Sequence, residues 1–206
     1  MYGLLTCGIV VWRFKLKFKE LLKAACKKRR PIDYIFFVAV IAAGIGIDQL
    51  TKWLAATYLV RGGTTPLWQG VLHLTYVENT GAAFGMLKNA PWVFNSVSVI
   101  AIVAMSLYLF LGHADGKLYQ VSIAMIISGG IGNMIDRISL GYVVDFIDFR
   151  LINFAVFNGA DSFVCVGAGL MILALVLEII EESRNMKKAK EEGIAATAHK
   201  EDGEEL

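Results

Sequence analysis

Proline, cysteine and mid-chain charge are all scarce in this sequence. Three prolines in 206 residues exclude a Pro-rich linker protein. Three cysteines, Cys7, Cys26 and Cys165, exclude a disulfide scaffold. Cys165 lies in an apolar run and reads as a small core residue, while Cys26 is at most a palmitoylation site. His73, His113 and His199 stand far apart with no ligand spacing, so no metal and no cofactor are expected. Charged residues make up 18% of the chain, against ~25% in soluble domains. Of these 38 residues, 11 lie in 13–33 and 14 in 178–206, leaving 13 across the 144 residues 34–177. Charged ends around a nearly uncharged middle describe a membrane protein.

What fills the middle is apolar: 56% of the chain is hydrophobic and the mean hydropathy is +0.58. A helix needs ~20 apolar residues to span a bilayer, and four segments approach or exceed that. They run from about Tyr34 to Tyr58, Pro91 to Leu111, Leu118 to Ile135 and Ser162 to Ile180. Pro91 stands in a first turn, where a missing N–H costs least. Gly44, Gly46, Gly129, Gly130, Gly132, Gly167 and Gly169 suit close helix approach in lipid. The Gly129–Gly132 run is no phosphate loop, because no strand precedes it. Residues 13–30 carry nine lysines and arginines and 184–200 carry five, whereas the connections 61–90 and 137–158 carry two each. The positive-inside rule therefore puts both termini in the cytoplasm and both long connections outside.

Three segments lie apart from the helices. In residues 1–32, Phe14, Phe18, Leu21, Leu22 and Ala25 share one helical face ringed by lysines. That pattern fits a helix on the anionic inner leaflet, or equally an over-extended start whose translation is incidental. In 61–90, Leu72, Leu74 and Tyr76 alternate with His73, Thr75 and Val77, which is strand periodicity bounded by turn residues. The mixed-charge tail 183–206 reads as disordered. Residues 33–182 form the membrane domain.

Ionisable groups at membrane depth are functional candidates by default. Asp48 lies fifteen residues past Asp33, hence ~22 Å along a helix, in its outer half. Lys52 follows at i+4 and can pair with it, which favours a structural pair pinning the first helix to its neighbours. Asn133, Asp136 and Arg137 end the third helix, while Asp161 begins the fourth, where the helix dipole favours a carboxylate. Asn158 precedes Asp161 by three. Asp145 sits in the apolar run Tyr142–Ile147, out of place for a solvated loop, so the segment is expected to deliver it to the interior. Two carboxylates from different elements in a poorly hydrated pocket take divergent proton affinities, one ionised and one protonated. That is a water-activating dyad. A capped helix end plus a surface acid is the alternative, and the residues alone do not separate the two.

Five blocks carry a resemblance: Asp-Gln-Leu-Thr-Lys (48–52), Asn-Thr-Gly-Ala-Ala-Phe-Gly (79–85), Gly-Gly-Ile-Gly-Asn-Met-Ile-Asp-Arg (129–137), Val-Val-Asp-Phe-Ile (143–147) and Phe-Asn-Gly-Ala-Asp-Ser (157–162). In this order, over about 33–182, the chain resembles the lipoprotein signal peptidases, the type II signal peptidases of bacteria. The resemblance implies an all-α integral membrane protein with four transmembrane helices. It also implies a small extracytoplasmic β-sheet, or cradle, inserted between helices one and two. It makes Asp145 and Asp161 the catalytic pair of an aspartic endopeptidase. Asp48, Lys52, Asn79, Asn133, Asp136, Arg137 and Asn158 become positioning and structural residues. The implied reaction removes the signal peptide from a diacylglyceryl-modified prolipoprotein, cutting before the lipidated cysteine. The implied setting is the bacterial inner membrane, with the site near the outer leaflet. Its partners are precursor and membrane lipids, with no nucleic acid and no metal. The basic preface and acidic tail lie outside the shared pattern.

Two other classes compete. A proton-coupled transporter would use Asp48, Asp136 and Asp161 as a relay, but no acid lies in the inner half of the helices to complete a path. A non-catalytic scaffold would bind lipidated precursor without turnover.

Overall fold

The computed structural model describes residues 30–81, 91–112, 114, 116–152 and 154–204, with only the backbone described for 91–94 and 188–204. The amphipathic preface expected before residue 30 lies outside the described residues. Helix α1 spans Pro31–Tyr58, with proline at its start. Helix α2 spans Pro91–Phe110, α3 spans Lys117–Ser139 and α4 spans Gly159–Glu204. Strands β1 (Thr64–Trp68) and β2 (Leu72–Asn79) follow α1, and β3 (Val143–Phe149) follows α3.

Three of the helices, Pro31–Tyr58, Lys117–Ser139 and Gly159–Lys187, are long and apolar enough to cross a membrane by length and composition. Helix α2 gives a shorter apolar stretch, Asn95–Phe110. Buried positions on α1 are Phe37, Gly44, Asp48, Lys52 and Ala55, spaced to share one face. Its other faces expose Ile35, Val38, Ile47, Leu50 and Trp53, an apolar exterior suited to lipid. Helix α3 lies at the centre of the bundle. Its Ile123, Ala124 and Ile127 form the apolar core with Phe37, Leu109 and Ala114, and toward its other end the buried residues turn polar at Asn133 and Asp136.

Glycine sets the helix spacing. A Cβ on Gly129 would collide with the backbone carbonyl of Ala160 in the first turn of α4. Gly129→Ala must therefore separate α3 from α4 just where the polar cluster begins. Overpacking of this kind costs ~1–3 kcal/mol, so the thermal midpoint in detergent should fall. Gly46→Ala is the control, because its Cβ meets nothing within 4 Å and its midpoint should hold or rise.

The sheet corrects one expectation. It has the order β1-β2-β3, antiparallel throughout, and β3 comes from the connection 137–158. It is therefore not an insertion between helices one and two alone. The regular alternation expected of 72–77 also fails. His73 and Tyr76 are both buried, because the register slips between Leu74 and Val77 and a bulge turns the strand. The fourth helix continues without a break to Glu204, so the tail expected to be disordered is helical. Its runs of Glu, Lys and Ala are strong helix formers that extend a helix already nucleated.

Candidate active site

The polar cluster is assembled where β3, α3 and the start of α4 meet α1. Register pairs Val77 with Asp145 and Asn79 with Val143, which holds Asp145 near the end of β2. After β3 the chain loops back, and Phe157 pairs with Ile147 through N–H···O bonds of 2.8 and 3.0 Å. That return delivers Asn158 and the first turn of α4 beside Asp145.

Asn158 and Asp161 cap the helix reciprocally. The Asp161 N–H donates to Asn158 Oδ1 at 3.0 Å, and the Asn158 N–H donates to Asp161 Oδ2 at 3.2 Å. This is the capping-box arrangement. The Asn158 side chain, fully buried, also donates to Asp145 Oδ1 at 2.6 Å. Asn79 donates to the other Asp145 oxygen at 2.9 Å, and Asn133 donates to Asp161 Oδ1 at 2.8 Å. A single asparagine thus touches both candidate acids, and every carboxylate oxygen of the two has a donor.

Behind them lies a buried ion cluster. Lys52 Nζ is 2.9 Å from Asp48 Oδ2 and 3.1 Å from Asp136 Oδ2, and it donates to Asn133 Oδ1 at 2.8 Å. Asp48 Oδ1 accepts the Ala160 N–H at 2.7 Å, and Asp136 Oδ2 accepts the Val144 N–H at 3.1 Å. The cluster therefore ties α1 to α3, to α4 and to the residue preceding Asp145. Asp136 thus finds its partner on another helix, in Lys52. Arg137 points one position around the helix, where it donates to the Asn133 carbonyl at 3.5 Å and lies within electrostatic reach of Asp161, Asp145 and Asp136.

All nine residues singled out in the sequence meet in this network. Gln49 was missed. Its amide donates to Asp136 Oδ1 at 3.0 Å and to the Gly132 carbonyl at 3.2 Å. The only signal was its place beside Asp48 in the first block. Asp148 was missed too. It binds Thr75 at 2.7 Å and Arg150 at 2.9 Å, outside the cluster.

Two acids on one strand are pushed in opposite directions. Burial raises Asp145 to about 6, with the nearby charge of Asp161 adding and the Asn79 and Asn158 hydrogen bonds opposing. Asp148 is also raised by burial, but bonds from Thr75 and Arg150 outweigh that and bring it below the ordinary carboxylate range. A raised acid keeps its proton at pH values where a free carboxylate has lost it, so Asp145 should deprotonate as pH rises through about 6. Infrared spectra of the carboxyl stretch should show a band that fades over that interval and is missing in Asp145→Asn. Among the described residues, no three His, Cys, Asp or Glu side chains gather to hold a metal ion.

A family model described as signal peptidase (SPase) II matches residues 40–177, a stretch that contains all nine residues. A lipoprotein signal peptidase of Caldanaerobacter subterraneus subsp. tengcongensis is 48% identical over 131 residues, covering 64% of this chain and 89% of the relative. One from Halalkalibacterium halodurans is 38% identical over 161 residues, covering 77% of this chain and 98% of the relative. A solved bacterial membrane enzyme, determined by the in meso method, superposes with a TM-score of 0.65 at 32% identity. That match covers 70% of this chain and 89% of the other.

Proposed function

The chain belongs to the signal peptidase II family, and from that membership we propose an aspartic mechanism in which Asp145 and Asp161 hydrolyse a diacylglyceryl-modified prolipoprotein just before its lipidated cysteine. The chain is a bacterial membrane peptidase that processes lipoproteins. In the proposed topology all four helices of 33–182 cross the inner membrane, both termini are cytoplasmic and the site faces the outer leaflet. One observation carries the reading: two carboxylates from separate elements share a single buried asparagine, Asn158.

The two acids take different roles. Asp161 sits at a helix N-terminus, where negative charge is favoured, and it removes a proton from the attacking water. Asp145 is buried and keeps its proton up to about pH 6. It donates that proton to the carbonyl oxygen as water attacks. When the resulting gem-diol collapses, Asp161 passes the proton it took from water to the leaving amine and Asp145 recovers one from the gem-diol hydroxyl. Asn79, Asn133 and Asn158 hold the two carboxyls in place. Asp48, Lys52 and Asp136 lock the helices behind them, and Arg137 adds positive charge at the edge of the pair. The amphiphilic sheet covers the outer face of the site, where the peptide enters.

A transporter reading has less support, because the acids of the site gather at one end of the bundle and trace no path across it. A direct assay decides between turnover and mere binding. The purified chain is mixed with diacylated precursor and with its unmodified form, and products are separated by gel mobility. The lipidated precursor alone should shorten. No shortening at all would sink the peptidase reading, and equal cutting of both would remove the lipid requirement. Because Asp145 must hold the donated proton, kcat/KM should fall as pH rises through about 6, with apparent values that belong to the pair. A flat profile from about pH 4 to about pH 8 contradicts a shared-proton dyad.

A further inference from the structure

Among the described residues, Oδ1 of Asn95 is the one buried side-chain nitrogen or oxygen with no hydrogen-bond partner. A buried orphan of this kind calls for an explanation, and at membrane depth it is especially costly. It does not point out to lipid. The less exposed positions of α2 include Asn95, Ser98, Ile102, Met105 and Leu109, at i, i+3, i+7, i+10 and i+14, one helical stripe. Val97, Ile100 and Val103 lie on the exposed side.

The stripe faces α3. A Cβ on Gly130 would stand 3.0 Å from Ile102 Cγ1, so these two residues mark one level. Helices α2 and α3 are joined by a short connection and run antiparallel. Asn95 lies seven residues outward from Ile102, and Arg137 lies seven residues outward from Gly130. Both steps are about two turns, ~10 Å. Asn95 therefore reaches the level of Arg137, on the face of α3 that also carries Asn133, the residue bonded to Asp161.

We infer that Asn95 is a substrate-positioning residue whose Oδ1 accepts a main-chain N–H of the precursor peptide beside the scissile bond. The inference rests on the peptidase reading above. Oδ1 is an acceptor, so it requires a donor. The diacylglyceryl anchor, thioether-linked and fully esterified, offers only acceptors. The peptide offers an N–H at every residue except proline, and in a poorly hydrated site each must find an acceptor. Chemistry thus matches Asn95 to the peptide and not to its lipid.

The test compares the full-length wild type with Asn95→Leu and Asn95→Gln on a diacylated precursor peptide in detergent micelles. Asn95→Leu should raise KM roughly three- to tenfold, the span of one lost hydrogen bond. Its kcat should stay within about twofold, as for an interaction made equally in ground and transition states. The thermal midpoint should hold or rise, because an orphaned polar atom has been removed. Asn95→Gln, which keeps an amide oxygen on a longer arm, should recover part of the KM. A wild-type KM for Asn95→Leu overturns the inference and leaves the peptidase reading intact. So does a KM change accompanied by a lower midpoint and a matching fall in kcat, which would mark a structural role. A wild type without turnover overturns both.

Discussion

Asp161→Asn should reduce cleavage of a diacylated precursor by at least about a thousandfold, within the range that loss of a positioned acid or base produces. The substitution keeps the side chain's shape and an oxygen to accept from Asn133 Nδ2, now 2.8 Å away. What it loses is the ability to take a proton. It also sets an amide N–H against the Asn158 N–H that donates to Asp161, so part of the helix cap goes, worth ~1 kcal/mol. The protein should therefore still accumulate in membranes with a slightly lower midpoint. Asp145→Asn should lose as much activity, because its amide cannot give up a proton to the carbonyl oxygen as water attacks. Rate measurements under single-turnover conditions, paired with thermal unfolding, separate these losses from misfolding. Processing at a normal rate by both variants would end the dyad assignment. Asp136→Asn provides the contrast: it weakens the pairing with Lys52 and should cost stability with only a partial loss of rate.

The second large effect concerns stability. Lys52→Met removes the one cation held between Asp48 and Asp136, and all three side chains are at most 4% exposed. Two carboxylates would remain buried without their counter-ion. Breaking a buried ion set in this way costs ~3–5 kcal/mol, which in a bundle of this size should lower the thermal midpoint by many degrees. Adding Asp48→Asn and Asp136→Asn to Lys52→Met should recover much of the loss, since replacing a whole buried ion set is often near neutral. Activity should not return with stability, because Lys52 also orients the Asn133 carbonyl oxygen. Equal midpoints for wild type and Lys52→Met would show that the cluster contributes little to the fold.

The parts of this molecule that were legible in the sequence are those governed by local pattern. Apolar length gave the helices within a few residues, apart from the far end of α4, which runs on to Glu204, and the depletion of charge isolated the acids worth considering. Asp48 and Lys52 were legible as a pair because i and i+4 face the same way in any helix. The pairing of Lys52 with Asp136 was not legible in this way, because the two stand on different helices and only packing brings them within 3.1 Å. Gln49 was passed over because a neutral amide gives no charge signal, although two of its contacts cross to Gly132 and Asp136 on α3. The third strand was hidden because strand pairing depends on residues some 70 positions apart. Val143–Phe149 alone reads as an apolar run, and only β2 makes it part of a sheet. Residues 183–204 misled through their polarity, which argues for solvent exposure but not against a helix.

The i, i+4 pairing of Asp48 with Lys52 bears on how the protein is made. Helix α1 leaves the ribosome before α3 and α4 exist, so Asn133, Asp136 and the Ala160 N–H are not yet present to receive its polar groups. A helix with a lone charge at that depth would resist transfer into lipid. Because each charge has its counter-ion one turn away on the same helix, α1 can enter the bilayer as a nearly neutral rod. In the folded chain the same lysine also stands 3.1 Å from Asp136. The pair that braces the site can thus serve insertion as well, because it needs only one helix to form.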